Sequence, residues 1–398
     1  MIILQIHNRY LIRGGEDESR EAEARLLAAN GHRVVEYIRD NTEIDRSRLW
    51  LMGLRSIWSP QTYREVCALI QREKPDIALI HNFFPLVSPS VYDACRKHGV
   101  PIVQYLRNYR LFCLSGLFYR DGNVCELCAG RLLYLPGIRH RCYRAGVASS
   151  IVLASMLIVH RMLGTWRRKV DRFIAISQFC AAKCVALGLP RERVLIKPNF
   201  MCPDPGIGDG SGNYILFVGR IAPEKGLATL LRAWRSMATP PPLRIIGTGP
   251  DMSVLQAQTR DVNGIEWLGN RSSGETLEYM GHALAIVMPS ECYETFGRVV
   301  MEAAAKGTPA IVSRLGAMTE LIDEGKTGWF FPAGDAAALA DRIAEIHAMS
   351  ADRRLVIRRA VRARFEAHYS AEANLKMLTA IIEPLVSGPR HPDNKDSQ

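Results

Sequence analysis

Two carboxylates eight positions apart, Glu294 and Glu302, stand in the run ECYETFGRVVMEAAAKGTPAIVS. Gly297 follows closely after the first, and an apolar, Ala-rich stretch surrounds the second. Eight residues are a little over two helical turns, so a continuous helix would carry both carboxylates on roughly one side. Such a pair can bind sugar hydroxyls by charge-assisted hydrogen bonds, or it can simply solvate a helix face. Upstream, Arg220 and Lys225 flank a proline-containing loop directly after the apolar run Tyr214–Val218. Cations there stand at the carboxyl end of a strand, where open α/β sheets bind ligands. Gly247-x-Gly249 follows Leu243–Ile246, lacks the third glycine of a dinucleotide fingerprint, and reads as a tight strand-to-helix turn. Gly14-Gly15 is a second glycine turn after a strand, able to bring backbone N–H groups close to a phosphate or an acceptor.

The elements that must position these residues alternate between short apolar runs and amphipathic stretches, the signature of an α/β protein. In the first half, strands are predicted at Ile2–Ile6, Arg33–Tyr37, Ile77–His81, Ile102–Tyr105 and Arg172–Ile176. Helices are predicted at Ser19–Ala29, Tyr63–Glu73, Ser90–His98 and Phe179–Ala186. In the second half, strands fall at Tyr214–Val218, Leu243–Ile246, Ile265–Leu268, Ala285–Met288 and Ala310–Val312. A chain of 398 residues fits two domains of about 200 residues. The junction is expected at Val194–Phe200, ahead of the Pro- and Gly-rich PDPGIGDGSG. The expected organisation is 1–198, 199–369, and a C-terminal segment 370–398 with a helix over Ser370–Val386 and a polar, frayed tail from His391 to Gln398.

Composition is ordinary for a soluble globular protein, with 48% hydrophobic and 23% charged residues. The formal charge of +11 is unevenly placed: residues 1–200 carry 30 Lys and Arg against 17 Asp and Glu, and residues 101–200 carry 16 against 4. A basic first half points to an anionic partner. No nucleic-acid-binding signature is present, which leaves an anionic membrane surface or a diphosphate-linked lipid acceptor. The run Val147–Val159 is too short for a bilayer core of about 30 Å, so it reads as a core helix or an interfacial one, with Arg161, Arg167, Arg168 and Lys169 just behind it. MIILQIHN reads as a buried strand and not as a secretory signal, so a cytoplasmic location is expected, peripheral on the inner face of the cytoplasmic membrane.

Five runs resemble the retaining glycosyltransferases of family 4, in order and at the family's spacing: Tyr214–Gly226, Leu243–Asp251, Ile265–Asn270, Val287–Ser313 and Gly325–Asp335. The resemblance implies two Rossmann-like domains facing a central cleft, the GT-B architecture. The first would take the acceptor and the second a nucleotide diphosphate sugar, with the C-terminal helix crossing back to the first. It implies that Arg220 and Lys225 neutralise the diphosphate as the sugar–phosphate bond breaks. Glu302 would hold the ribose hydroxyls. Glu294 would face the donor sugar, with the backbone N–H groups of Phe296 and Gly297 beside its hydroxyls or the distal phosphate, and Gly249 near the nucleotide. No catalytic metal and no general base is implied, because front-face attack lets the leaving phosphate take the acceptor's proton. His81, Asn82 and Asn8, at strand ends, are candidates to line the acceptor pocket; a His at a strand end also has plain structural uses. In LRNYR, Arg107 stands where the family usually has a His that reaches the donor sugar. Arg cannot accept a hydrogen bond and stays charged, so the resemblance implies either an unusual donor, for instance one bearing a carboxylate, or weakened activity.

Of ten cysteines, Cys113, Cys125, Cys128 and Cys142 form C-x11-C-x2-C-x13-C, a candidate four-thiolate structural zinc site; otherwise they are ordinary buried thiols. The leading expectation is a retaining, hexosyltransferase-type enzyme acting on a polysaccharide or lipid-linked glycan. A nucleotide-sugar epimerase on the same fold, or a catalytically weakened nucleotide-sugar-binding protein, is the alternative.

Overall fold

A computed structural model describes residues 1–11, 14–44 and 49–387. The predicted tail His391–Gln398 lies outside the described residues. The chain forms two compact units. The first takes Met1–Leu117, Glu126–Lys197 and the chain from Asn374 onward; the second takes Phe118–Cys125 and Pro198–Ala373.

The first unit holds β1 (Ile2–Arg9), β2 (Arg33–Asp40), β3 (Ile77–Asn82) and β4 (Ile102–Leu106). Two-residue strands β5 (Tyr119–Arg120) and β6 (Asn123–Val124) pair as an antiparallel hairpin inside the second unit. Asp121 and Gly122 turn it, both at positive φ (51° and 79°), which is the backbone a two-residue hairpin turn requires. The first sheet is completed by β7 (Arg172–Ala175) and β8 (Val194–Ile196), and it is parallel throughout in the order β2-β1-β3-β4-β7-β8. Its central strands are buried runs, with all six residues of β3 and all five of β4 covered, as expected when helices lie on both faces. The helix Ala371–Ser387 lays Leu378, Ile381 and Ile382 on Ile3, Ile77, Leu79 and Val103 of this sheet. Burial stabilises by roughly 1.5–3 kcal/mol per such side chain before entropy is counted.

The second sheet contains β9 (Ile215–Val218), β10 (Leu243–Ile246), β11 (Ile265–Gly269), β12 (Ala285–Met288), β13 (Ala310–Ser313) and β14 (Gly328–Phe331). It too is parallel, in the order β11-β10-β9-β12-β13-β14. The strand order therefore reverses between β9 and β12. That is the switch point of a doubly wound sheet, where the loops leaving the carboxyl ends diverge and open a crevice.

Candidate active site

The loops that leave β9 and β12 at this switch point carry Arg220, Lys225 and Glu294. Lys225 Nζ lies 2.6 Å from Glu294 Oε1, and Ser290 Oγ donates to the same oxygen at 2.8 Å. Burial disfavours a charge on either partner. The pairing overrides it: Glu294 holds Lys225 above the ordinary lysine range, and Lys225, followed by Ser290, holds Glu294 below the ordinary carboxylate range. Both are charged at neutral pH. Arg220, more than half exposed, pairs with the buried carboxylate of Glu224. The Glu291 N–H donates to the Glu224 carbonyl at 2.9 Å, which ties the β9 loop to the β12 loop.

Glycines let these loops approach. A methyl at Gly249 would meet the Ile221 carbonyl oxygen at 2.1 Å, so the predicted turn after β10 is packed backbone to backbone on the β9 loop. At Gly297, φ is +111°, and a methyl would meet Met318 Cε at 2.4 Å and Leu321 Cδ1 at 2.6 Å. This glycine caps the helix Arg298–Ala305 in a conformation that ordinary residues avoid.

The same glycine corrects the reading of the carboxylate pair. Glu294 lies in the loop, four residues ahead of the first helical residue, so only Glu302 is on the helix. The two do not share a helix face. Glu302 accepts from Arg298 Nε at 2.7 Å, an i,i+4 pair. Phe296 is buried with its ring edge-on to Tyr369 at 5.7 Å, so its side chain belongs to the core.

The predicted residues of the first unit have structural partners. Asn8 donates to Asn41 Oδ1 (2.9 Å) and accepts from the Leu86 N–H (2.7 Å). Asn82 donates to the Asn8 carbonyl (2.7 Å) and accepts from the Phe84 N–H (3.2 Å). These asparagines shape the loops after β1 and β3 and do not present free amides. His81 is buried, stacked on Tyr105 with centroids 4.4 Å apart, and its Nε2 is 3.6 Å from Glu23 Oε1. Burial first, and then the charge of Arg107, hold its imidazole well below the ordinary range, so it is neutral at pH 7. Arg107 stacks on the other residue of that pair, its Cζ 4.7 Å from the Tyr105 ring centroid.

Gly14 is the extended cap of the helix Gly15–Ala29, its N–H donating to Asp17 Oδ2 at 3.1 Å. Glu16, Asp17 and Glu18 fill the first turn. Asp17 is occupied by the Gly14 N–H and by His7 Nε2 at 2.8 Å.

Among the described residues no three His, Cys, Asp or Glu side chains assemble as a metal-holding group. Zinc requires all four sulfurs about 2.3 Å from one point. Among the described residues Cys113, Cys125, Cys128 and Cys142 do not gather as such a group.

Several residues escaped the sequence reading. Ser290 and Glu224 each hold a predicted site residue, and both were visible as polar positions inside the matching runs. The hairpin Phe118–Cys125 belongs to the second unit, where the buried Phe118 ring meets Tyr293 edge-on at 6.3 Å, next to Glu294. In the first unit Tyr10, Glu16, Asn108 and Arg110 form one cluster, with the Tyr10 hydroxyl donating to Glu16 at 2.9 Å and accepting from Arg110 at 3.2 Å.

A family model described as glycosyl transferases group 1 matches residues 208–363, and one described as a glycosyl transferase 4-like domain matches residues 14–199. Together they span most of the chain. The protein named as a colanic acid biosynthesis glycosyltransferase, WcaL of Escherichia coli, is 25% identical over 236 residues, 55% of this chain and 58% of its own length. The phosphatidyl-myo-inositol mannosyltransferase of Mycobacterium leprae is 34% identical over 136 residues, 33% of this chain and 36% of its own. The chain thus matches about half, or less, of the length of these curated relatives. The crystal structure of Anabaena Alr3699/HepE with UDP and glucose superposes with a TM-score of 0.67 at 15% identity, covering 96% of this chain and 99% of that one. At that identity the likeness speaks for the fold, two parallel-sheet α/β domains of GT-B type.

Proposed function

The chain belongs to the group 1 glycosyltransferases of family 4, and on that premise we propose that it moves a hexose, with retention, from a nucleoside diphosphate sugar to a hydroxyl of a glycan, free or lipid-linked. The observation that carries this reading is the Lys225–Glu294–Ser290 arrangement at the switch point of the second sheet. Lys225 is held charged where a diphosphate would lie, and the exposed Arg220 stands on the same loop. In the reaction the bond from the anomeric carbon to the phosphate oxygen breaks as the bond to the acceptor oxygen forms. The acceptor's proton passes to the leaving phosphate. Arg220 and Lys225 stabilise the charge that grows there, and donors already in place cost no reorganisation. Glu294 accepts from a donor-sugar hydroxyl, and Glu302 takes the ribose hydroxyls in exchange for Arg298. Gly249 and the backbone of Phe296 and Gly297 supply close approach.

The acceptor goes to the first unit, where the Tyr10–Glu16–Asn108–Arg110 cluster offers side chains at the carboxyl ends of β1 and β4. UDP is the first nucleotide to test, since the HepE complex holds UDP. The experiment is donor hydrolysis without acceptor, followed by proton NMR on a panel of nucleotide sugars. The expected first-formed sugar has the donor's anomeric configuration. The opposite anomer would contradict retention, and no turnover or binding across the panel would contradict the donor site.

A further inference from the structure

The helix Val147–Met162, VASSIVLASMLIVHRM, is apolar around almost its whole circumference, yet the protein covers only one side of it. Ser150, Leu153, Ala154, Met156, Leu157 and His160 are buried. At about 100° per residue these six fall within one arc of roughly 160°. Val147, Ile151, Val159 and Met162, between 37% and 72% exposed, fall on the opposite arc, where only Ala148, Ser155 and Ile158 join them. A surface helix ordinarily carries charge on its outer face, and a helix apolar all round is ordinarily buried. This one presents an apolar stripe to water.

Its neighbours extend the stripe. Arg161 Nη1 donates to the Arg131 carbonyl at 2.8 Å, fastening the end of the helix to a loop whose Leu132, Leu133 and Leu135 are 44% to 62% exposed. On the flank, a methyl at Gly53 would meet Val152 Cγ2 at 3.0 Å, so the helix Leu49–Ile57 lies close and adds the exposed Leu54. Charge is one-sided here. From Leu127 to Val170 the chain has eight Lys and Arg and no Asp or Glu. Arg139, Arg141, Arg144, Arg167 and Arg168 among them are exposed.

We propose that this surface of the first unit docks on an anionic lipid layer, with the apolar arc of Val147–Met162 entering the headgroup boundary and the arginines contacting the headgroups. A basic segment with no carboxylate of its own, its Lys169 paired with Asp93, complements an anionic layer. A second copy seated two-fold on the same face would set arginines against arginines, which favours lipid over self-association. No described helix is long and apolar enough to cross a membrane, so the contact is interfacial. The docking stands apart from donor chemistry; only its use, bringing a lipid-carried acceptor within reach, rests on the glycosyltransferase reading.

The test is sedimentation of the full chain with phosphatidylcholine vesicles, with and without 30% phosphatidylglycerol by mole as the probe composition. The wild type should pellet with anionic vesicles at low salt, release as salt rises, and leave neutral vesicles at least tenfold less occupied. Arg139→Ala and Arg141→Ala should each weaken partition by about fivefold. Ile151→Ser with Met162→Ser should weaken it by tenfold or more while the melting curve and UDP affinity stay unchanged. Equal partition to both vesicle types, no partition, or binding unaltered by the Ile151/Met162 change would overturn the proposal. So would a dimer in light scattering that the same change dissolves, because a second copy would then be what covers the helix. Vesicle binding without UDP binding would leave the docking standing and remove the donor reading.

Discussion

The carboxyl edges of the two sheets are built from similar residue types and treat them in opposite ways. At the edge of the second sheet, Arg220 is more than half exposed, and Lys225 and Glu294 keep 25% and 14% of their side-chain surface. At the edge of the first, Lys197 and Glu23 are buried, 2.9 Å apart. Tyr105 donates to the same glutamate, and Asn374, on the C-terminal helix, accepts from Lys197 at 2.8 Å. The first arrangement leaves charge where a ligand can displace it. The second consumes its polar atoms in tying strand ends, the last residue before the chain enters the second unit, and the returning helix to one another. An ion pair's accessibility, more than its composition, separates a binding edge from a structural one.

The largest effects are expected at the second edge. Lys225→Ala or Arg220→Ala should lower turnover by on the order of 100-fold or more, with the fold intact and a smaller loss of thermal stability than at the first edge. A mutant that melts early but turns over normally when folded would make that edge structural as well. At the first edge, Glu23→Ala should do the reverse. It strands a buried lysine, at a cost of about 3–5 kcal/mol, and should lower the melting midpoint of the first unit while UDP affinity holds. Loss of UDP affinity in a folded Glu23→Ala protein would erase the distinction.

Smaller effects sharpen it. The folded-state pKa of Glu294 lies below its unfolded value of 4.5, so its pairing stabilises above that value and the gain is lost as pH falls through the lower folded pKa. For Lys225, raised above 10.5, the gain is present below 10.5 and lost as pH rises through the folded value. The melting difference between wild type and Glu294→Gln should therefore be constant across neutral pH and close at both extremes. A difference that changes between pH 6 and 9, on the scale of ordinary histidine titration, would point to a partner other than Lys225. Smallest of all, Glu302→Ala should weaken UDP binding several-fold and leave turnover at saturation near wild type, since a ribose contact is made equally in ground and transition states.

Much of the second unit was legible because its strands are short, buried apolar runs ending at Gly, Pro or charge; β10 and β12 have the predicted bounds. The three-residue strand β8 was hidden in the expected junction, and β14, with Gly328 at its start, was not among the predicted strands. The hairpin's Asp121-Gly122 signal was present but lay inside a stretch read for its cysteines. At the site, the eight-residue spacing of Glu294 and Glu302 suggested one helix, and the positive φ of Gly297 is what stops it. His81, Asn82 and Asn8 were placed correctly at strand ends, but Asn82 bonds to Asn8 across 74 residues, and elsewhere in the same unit Lys197 bonds to Asn374 across 177. Periodicity carries no record of contacts at that separation.

In the proposed reaction the β9 and β12 loops of the second unit hold a donor diphosphate on Lys225. Calorimetric titration of UDP into the wild type, Lys225→Ala and Glu23→Gln tests it directly. Saturable binding is expected for the wild type and for Glu23→Gln, and at least tenfold weaker binding for Lys225→Ala with its fold intact. Equal UDP affinity in all three proteins would contradict it.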